Sequence, residues 1–262
     1  MNILETIIAK KKLEVENNKR SKSIAALKNA PFFKNKSLDF KKYLLREDKS
    51  GIIAEFKRQS PSKGIINDTV SVAAVTTAYT KYGASALSVL TDEEFFGGSV
   101  NDLLAATINE VPLLRKDFII DEYQLIESKA FGAEVILLIA ACLKKSEVKE
   151  LASSAKNMGL NVLLEIHNEE ELEHICDDVD VVGVNNRDLK TFTIDINRSI
   201  ELSKKIPPGI IKISESGIDN AATIRLLKHH GFKGFLMGEK FMKEKDPGES
   251  FKIFVEQLKN EQ

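Results

Sequence analysis

Gly51-Ile-Ile-Ala-Glu-Phe-Lys-Arg58 decides the fold. Alternate residues of a strand share a face. Ile52, Ala54 and Phe56 form one set, entirely apolar. Ile53, Glu55 and Lys57 form the other, apolar at its start and charged at its end. The first set calls for a covering layer of helices. The second must point into a space that is dry at one end and tolerates charge at the other. A closed parallel barrel offers that space, because its interior is packed and its C-terminal mouth carries the reactive side chains.

Seven further apolar, β-branched runs lie outward from this stretch. They are Ala86–Leu90, Val111–Leu114, Val135–Ile139, Val162–Ile166, Val181–Val184, Ile210–Ile213 and Gly234–Met237. With Ile52–Phe56 they begin at intervals of roughly 25 residues, as a βα repeat requires. Segments of helical period separate them, among them Val70–Tyr82, Asp121–Phe131, Lys145–Met158, Glu169–Ile175, Ile196–Lys205 and Ala221–His229. Gly83, Gly132, Gly159 and Gly231 follow helical segments, a common punctuation of helix C-termini. Near-continuous apolar strands joined by helices imply a parallel sheet buried on both faces. The expected fold is α/β, a (β/α)8 TIM barrel. An open doubly wound sheet is the competing architecture. The chain lacks both the G-x-G-x-x-G turn and the G-x-x-x-x-G-K-[ST] loop of such sheets.

Residues 1–49 have a different texture. An amphipathic helix is expected over Ile3–Arg20 and a second near Ser37–Leu45, with Pro31 separating them. The Lys10–Lys12 run reads as a solvated helix face. Residues 1–262 are thus expected to form a single barrel domain, with 1–49 as an N-terminal helical extension.

Thirty-eight basic residues stand against 39 acidic ones in 262, a net charge of −1. That balance disfavours a nucleic-acid partner, which calls for a basic domain or face. The N-terminal order of residues is wrong for a signal peptide, and the longest apolar run, Val135–Leu143, is far too short to span a bilayer. Cys142 and Cys176 have no partners at metal-ligand spacing and read as small apolar fillers. A cytoplasmic protein with no metal and no membrane partner is expected. A monomer is the expected state, with a weak dimer as the alternative.

Extending the strand-face test places Leu114 with Lys116, Leu163 with Glu165, Ile213 with Glu215, and Asn185 with Arg187. The mouth then collects Lys57, Lys116 and Arg187 against Glu55, Glu165 and Glu215. Buried charges cost several kcal/mol each unless paired. Six of them at strand ends read as a reactive site. Ser214-Glu-Ser-Gly-Ile218 and Met237-Gly-Glu239 add small residues after strands seven and eight, where barrel enzymes commonly bind phosphate. Gly217 and Gly238 are the candidate backbone donors there, Ser216 a hydroxyl donor, and Ser60 offers another after strand one.

Ala54–Gly64, Leu90–Ser99, Leu114–Phe118, Leu163–Ile166, Gly183–Leu189, Ser214–Ile218 and Met237–Glu239 together resemble the indole-3-glycerol phosphate synthase family. The resemblance spans essentially the whole chain. It implies ring closure, decarboxylation and dehydration of 1-(2-carboxyphenylamino)-1-deoxyribulose 5-phosphate, an anionic sugar phosphate, with no cofactor. It assigns Lys116 as the general acid at the ketone oxygen and Glu165 as the base. Lys57 matches the residue at the substrate's anionic end, with a part in dehydration. The split of acid work between Lys57 and Lys116 stays open. Glu55 matches a residue that orients the lysines. Asn185 and Arg187 match contacts to the anthranilate part, and Glu215 and Ser216 match substrate contacts. Ser60, Gly217, Gly238 and Glu239 match rim and phosphate positions. Phosphoribosylanthranilate isomerase, another phosphosugar barrel, uses a different acid–base pair from Lys57, Lys116 and Glu165. Leu137, Phe118 and Phe96 could clamp an aromatic ring, although packing alone accounts for them. His167 lies on the same strand face as Glu165 and is set aside as a catalytic candidate. The N-terminal helices either cover the mouth, as in the family, or pad the barrel's side.

Overall fold

The computed structural model describes residues 3–189 and 191–260. Eight parallel strands close into a barrel: β1 (Ile52–Phe56), β2 (Ala86–Leu90), β3 (Leu113–Lys116), β4 (Val135–Ile139), β5 (Asn161–Ile166), β6 (Val181–Asn185), β7 (Ile211–Glu215) and β8 (Gly234–Met237). Each strand pairs with its sequence neighbour. Closure is made by β1 on β8, with Ile52 opposite Phe235 and Ala54 opposite Met237.

Alternation along the strands separates two cores. Ile52, Ala54 and Phe56 join the layer between sheet and helices, with Leu87, Ile136, Val162 and Phe235. Ile53 joins the barrel interior, with Ala86, Leu114, Val135, Leu163, Val181 and Ile213. These interior residues fill the lower barrel, so the charges that follow them along each strand are carried to the upper rim.

The helices form where side-chain caps meet helical period. Ser71 caps Val72–Lys81 and Asn220 caps Ala221–His229, each accepting a backbone N–H of the first turn. Gly83 (φ 101°) and Gly159 (φ 74°) sit just past helix ends in the left-handed region that glycine adopts freely.

Two strands are displaced from their expected positions. Val111–Leu114 becomes Leu113–Lys116, because Pro112 has no N–H for the ladder and contributes only its carbonyl, to the Leu87 amide. Ile210–Ile213 becomes Ile211–Glu215, so the strand runs through its terminal charge. The helix expected over Ser37–Leu45 is confined to Phe40–Leu44, because Asp39 caps it by accepting from the Lys42 amide. Glu170–His174 is a tight 3₁₀ segment rather than an α-helix.

The N-terminal extension reaches both ends of the barrel. Phe40 and Leu44 plug the bottom, packed on Ile53, Val135, Val181 and Ile213. Helix Ile3–Ser21 runs to the top, where Ile3, Leu4 and Ile7 line the mouth. Lys11 overturns the solvated reading of the Lys10–Lys12 run. Its side chain is 1% exposed, and its ammonium lies 2.8 Å from Asp117, 3.0 Å from Asp92 and 2.8 Å from Glu14. Only Lys10 and Lys12 face solvent. Three carboxylates on one ammonium repay its burial, as a buried charge requires.

Candidate active site at the barrel mouth

A cavity of about 150 Å³ opens at the C-terminal ends of the strands. Glu55 and Lys57 reach it from β1, Lys116 from β3, Glu165 from β5, Asn185 and Arg187 from β6, and Glu215 from β7. All six charges of the strand-face test therefore converge. Asn185 joins them, and Ser60, Ser216 and Glu239 stand on the rim.

Lys116 is the centre of the arrangement. Its Nζ is 3.0 Å from Glu165 Oε2 and 4.0 Å from Glu215 Oε2. Burial disfavours the ammonium, but Glu165, Glu215 and Glu55 outweigh it and hold its pKa above the ordinary lysine value. Glu165 is 2% exposed, and its Oε1 accepts from Asn185 Nδ2 at 3.1 Å. Burial alone would raise its pKa; Lys116 first, then His167 and Asn185, bring it below the usual carboxylate range. Glu215 goes the other way. It is buried, Glu165 and Glu55 repel its charge, and its Oε1 has no hydrogen-bond partner. Its carboxyl is therefore pushed well above the usual range.

A second pair lies across the cavity. Lys57 Nζ is 2.9 Å from Glu55 Oε1. Ser88 directs its hydroxyl to the other oxygen of Glu55 at 3.5 Å. At the rim, Arg187 donates to Ser62 Oγ at 3.3 Å and pairs with Glu239 at 3.3 Å. Its amide donates to Asn185 Oδ1, which fixes the turn that carries both side chains.

Close backbone approaches make this packing possible. A Cβ on Gly183 would overlap Glu215 Oε1, so the missing side chain is the space that Glu215 occupies. A Cβ on Gly238 would press on Glu55, and the short helix Glu239–Met242 starts there. Gly217 and Gly238 themselves stand behind the cavity wall: Gly217 is exposed beside Ile194, and Gly238 is buried under Glu55. Ser216 lines the cavity with φ of 67°, a strained conformation for a residue with a Cβ.

The apolar half of the cavity is made by Leu137, Ile139, Leu236, Phe96 and Phe118, with Ile3, Leu4 and Ile7 over it. Phe96 and Phe118 are in contact, centroids 6.1 Å apart. Leu137 belongs both to the barrel interior and to the cavity wall. The three ring-clamp candidates thus pack and line the site at once. The N-terminal helix does both: its first turns cover the mouth, and its later turns lie on helix Glu122–Ala130 at the barrel's side, where Val15 packs with Tyr123 and Ile126.

Sequence reading missed Gly183, Leu189 and Phe192. Gly183 sits inside a strand, where an isolated glycine signals close approach. Phe192 carries no sequence signal; its φ of 59° and its place in the cavity wall emerge only from the fold. His167 is brought to the site, 3.2 Å from Glu165 Oε1. Among the described residues, no group of three or more His, Cys, Asp or Glu side chains is arranged to hold a metal ion. Among the same residues, no helix is long and apolar enough to cross a membrane.

Comparison with known proteins places this geometry. Residues 4–254 match the family model described as indole-3-glycerol phosphate synthase. The indole-3-glycerol phosphate synthase of Bacteroides thetaiotaomicron is 46% identical over 98% of this chain and 99% of its own. That of Salinibacter ruber is 40% identical over 95% and 94%. Among solved structures, the tryptophan synthase alpha subunit of Legionella pneumophila superposes with a TM-score of 0.60 at 14% identity, covering 84% of this chain and 97% of that one. 3-Hexulose-6-phosphate synthase of Salmonella typhimurium gives 0.62 at 12%, covering 80% and 99%. These two show the barrel fold alone.

Proposed function

The chain belongs to the indole-3-glycerol phosphate synthase family, and on that premise we propose how its barrel mouth carries out the reaction. The enzyme is a carboxy-lyase of tryptophan biosynthesis. It converts 1-(2-carboxyphenylamino)-1-deoxyribulose 5-phosphate to indole-3-glycerol phosphate, CO₂ and water.

The substrate's aromatic ring lies against Leu137, Phe118 and Phe96, with its carboxylate toward Arg187 and Asn185. Its phosphate lies toward Ser216, Ser60 and the turns of Gly217 and Gly238. Holding ring and ketone at attack distance contributes to the rate before any proton moves. The ring carbon bearing the carboxylate bonds to the ketone carbon, while Lys116 delivers a proton to the ketone oxygen. The bond to the carboxylate then breaks, CO₂ leaves, and its electron pair restores the aromatic ring. Next the C–O bond of the new hydroxyl, the former ketone's, breaks. A second proton, from Lys57, turns the departing hydroxyl into water, and Glu165 takes a proton from the carbon beside the nitrogen. Two protons are delivered and one is recovered, so each turnover draws one proton from solvent.

One observation carries this reading: Lys116 and Glu165 stand 3.0 Å apart inside the mouth, each held in its charged form. Substrate separates the pair. Afterwards the protonated Glu165 can return its proton to Lys116 directly, which resets the site. Glu55 keeps Lys57 in place through its 2.9 Å contact.

The test mixes purified enzyme with the carboxyphenylamino-ribulose phosphate and follows indole fluorescence. Wild type gives a rising signal. Glu165→Gln loses about 10²–10⁴-fold in kcat, the usual range for a general base. A Glu165→Gln enzyme with wild-type turnover sinks the assignment. The same reading makes the protein a cytoplasmic monomer that binds the free sugar phosphate. Sedimentation at micromolar concentration checks the monomer.

A further inference from the structure

β5 ends at Ile166, and the next residue returns to the inward face beside Glu165. That residue, His167, is 8% exposed. Its Nε2 stands 3.2 Å from Glu165 Oε1, and its Nδ1 stands 3.3 Å from Glu171 Oε2. Glu171 is itself locked. Its Oε1 accepts from Asn168 Nδ2 at 2.8 Å, its Oε2 from the His167 amide at 2.7 Å, and its own amide donates to Asn168 Oδ1. The imidazole is thus fixed between two buried carboxylates, one anchored by the turn and one at the reacting centre.

A neutral imidazole has one N–H and one lone pair. Between two carboxylates it would turn that lone pair on one of them. Only the imidazolium offers a donor to both. We propose that His167 is a positioning residue for the family reaction. As a cation braced by Glu171, it holds the Glu165 carboxylate in place and offsets part of the negative charge that Glu165, Glu215 and Glu55 gather at the mouth. The proposal rests on Glu165 as the base.

The surroundings agree. Burial opposes the ring's charge, yet Glu165 and Glu171 outweigh it and push its pKa up to about 9. Cys142, in the turn after β4, faces the same carboxylates and stays a neutral thiol, because burial first and those carboxylates next raise its pKa. Lys116 faces the ring across Glu165, on the carboxylate's other oxygen. The resting Nε2 contact is an ion pair without an in-line hydrogen bond. For a raised imidazole pKa the sign is definite: the imidazolium holds below about pH 9 and is lost as pH rises through it.

The experiment has two arms. NMR of the four histidine rings in wild-type enzyme follows their titration. The His167 signal is assigned by its loss in His167→Gln, or by replacing the other three histidines should that variant not fold. We expect a midpoint near 9 that falls by a unit or more in Glu171→Gln. A midpoint near 6.5, or one unmoved by Glu171→Gln, overturns the proposal. In the kinetic arm, His167→Gln lowers kcat about tenfold, the worth of one charge-assisted contact, at nearly constant KM. Glu171→Gln moves the alkaline limb of kcat to lower pH. A purely structural role would lower the unfolding midpoint without moving that limb, and that result also overturns the proposal. Failure of the base assignment is separable: Glu165→Gln would then keep its turnover while the wild-type ring still titrated near 9.

Discussion

Two buried charge clusters sit back to back at the top of this barrel, and they are built to opposite ends. The chain passes from one to the other between Lys116 and Asp117. Lys116 turns into the mouth, where three carboxylates compete for it and one oxygen of Glu215 has no partner. Asp117 turns to the N-terminal helix. There Lys11 lies at 2.8 Å, Arg115 at 3.0 Å, and Thr91 donates to it at 2.5 Å. Arg115, 1% exposed, is also paired with Glu127 at 2.8 Å. Burial would raise the Asp117 pKa, but Lys11 and Arg115 drive it far below the usual carboxylate range. In the outer cluster every carboxylate lies within 3.0 Å of a cation of the protein. In the inner one the match is left open, so that a substrate can enter it.

The sharpest way to break this contrast is to make one chemical change in both places, deleting a buried ammonium. Lys116→Met should lower kcat by about 10²–10⁴-fold while circular dichroism shows an intact fold. Lys11→Met leaves Asp92 and Glu14 without their cation and Asp117 with Arg115 alone. It should cost about 3–5 kcal/mol of stability, read as a drop in the urea midpoint. If Lys11→Met unfolds at the wild-type midpoint, the outer cluster is not structural and the contrast fails.

A smaller effect of opposite sign is expected at Glu215. Its folded pKa is raised, so its burial as a carboxylate lowers stability as pH climbs from the unfolded value toward the folded one. Glu215→Gln removes that loss and should gain about 1–4 kcal/mol in alkaline solution, where neutral groups replace a buried charge set. Its turnover should fall at the same time. A variant less stable than wild type at pH 9 would contradict the inner cluster's strain. The smallest effect belongs to a pair in neither cluster. Lys204 and Glu201 lie 3.0 Å apart and are both well exposed. Lys204→Ala should shift neither the urea midpoint nor kcat measurably.

The inner cluster was legible in the sequence because the barrel reads in alternation. Once Ile53 faces inward, Glu55 and Lys57 must follow it, and the same step on other strands finds Lys116, Glu165 and Glu215. The outer cluster hid for the same reason. Arg115 lies on the face reserved for apolar packing, its partners Asp117 and Glu127 come from a loop and a helix, and Lys11, which shares Asp117, comes from another helix. No periodicity links residue 11 to residue 117; only the docking of the extension does. Lys11 looked solvated because its neighbours Lys10 and Lys12 are. His167 was visible on the right face, but its significance depends on Glu171 turning back in a 3₁₀ segment that a helical reading of Glu169–Ile175 does not provide. Gly183 shows the converse difficulty. Its role is the volume it leaves for Glu215, and an empty volume has no sequence pattern beyond the glycine itself.

The plug at the barrel floor has a consequence for how the chain is made. Phe40 donates its amide to Asn161 Oδ1, and Asn161 returns a hydrogen bond to the Leu38 carbonyl. Phe40 and Leu44 also rest on Val181 and Ile213. The extension leaves the ribosome before the barrel, yet Asn161, Val181 and Ile213 of its seat lie more than a hundred positions later. During synthesis the plug waits, apolar and incompletely seated, until the seventh of the eight strands, which carries Ile213, has followed it. Contacts of such long range slow folding, and an exposed apolar segment in the interim invites association. The floor of this barrel therefore closes only after most of the chain has been made.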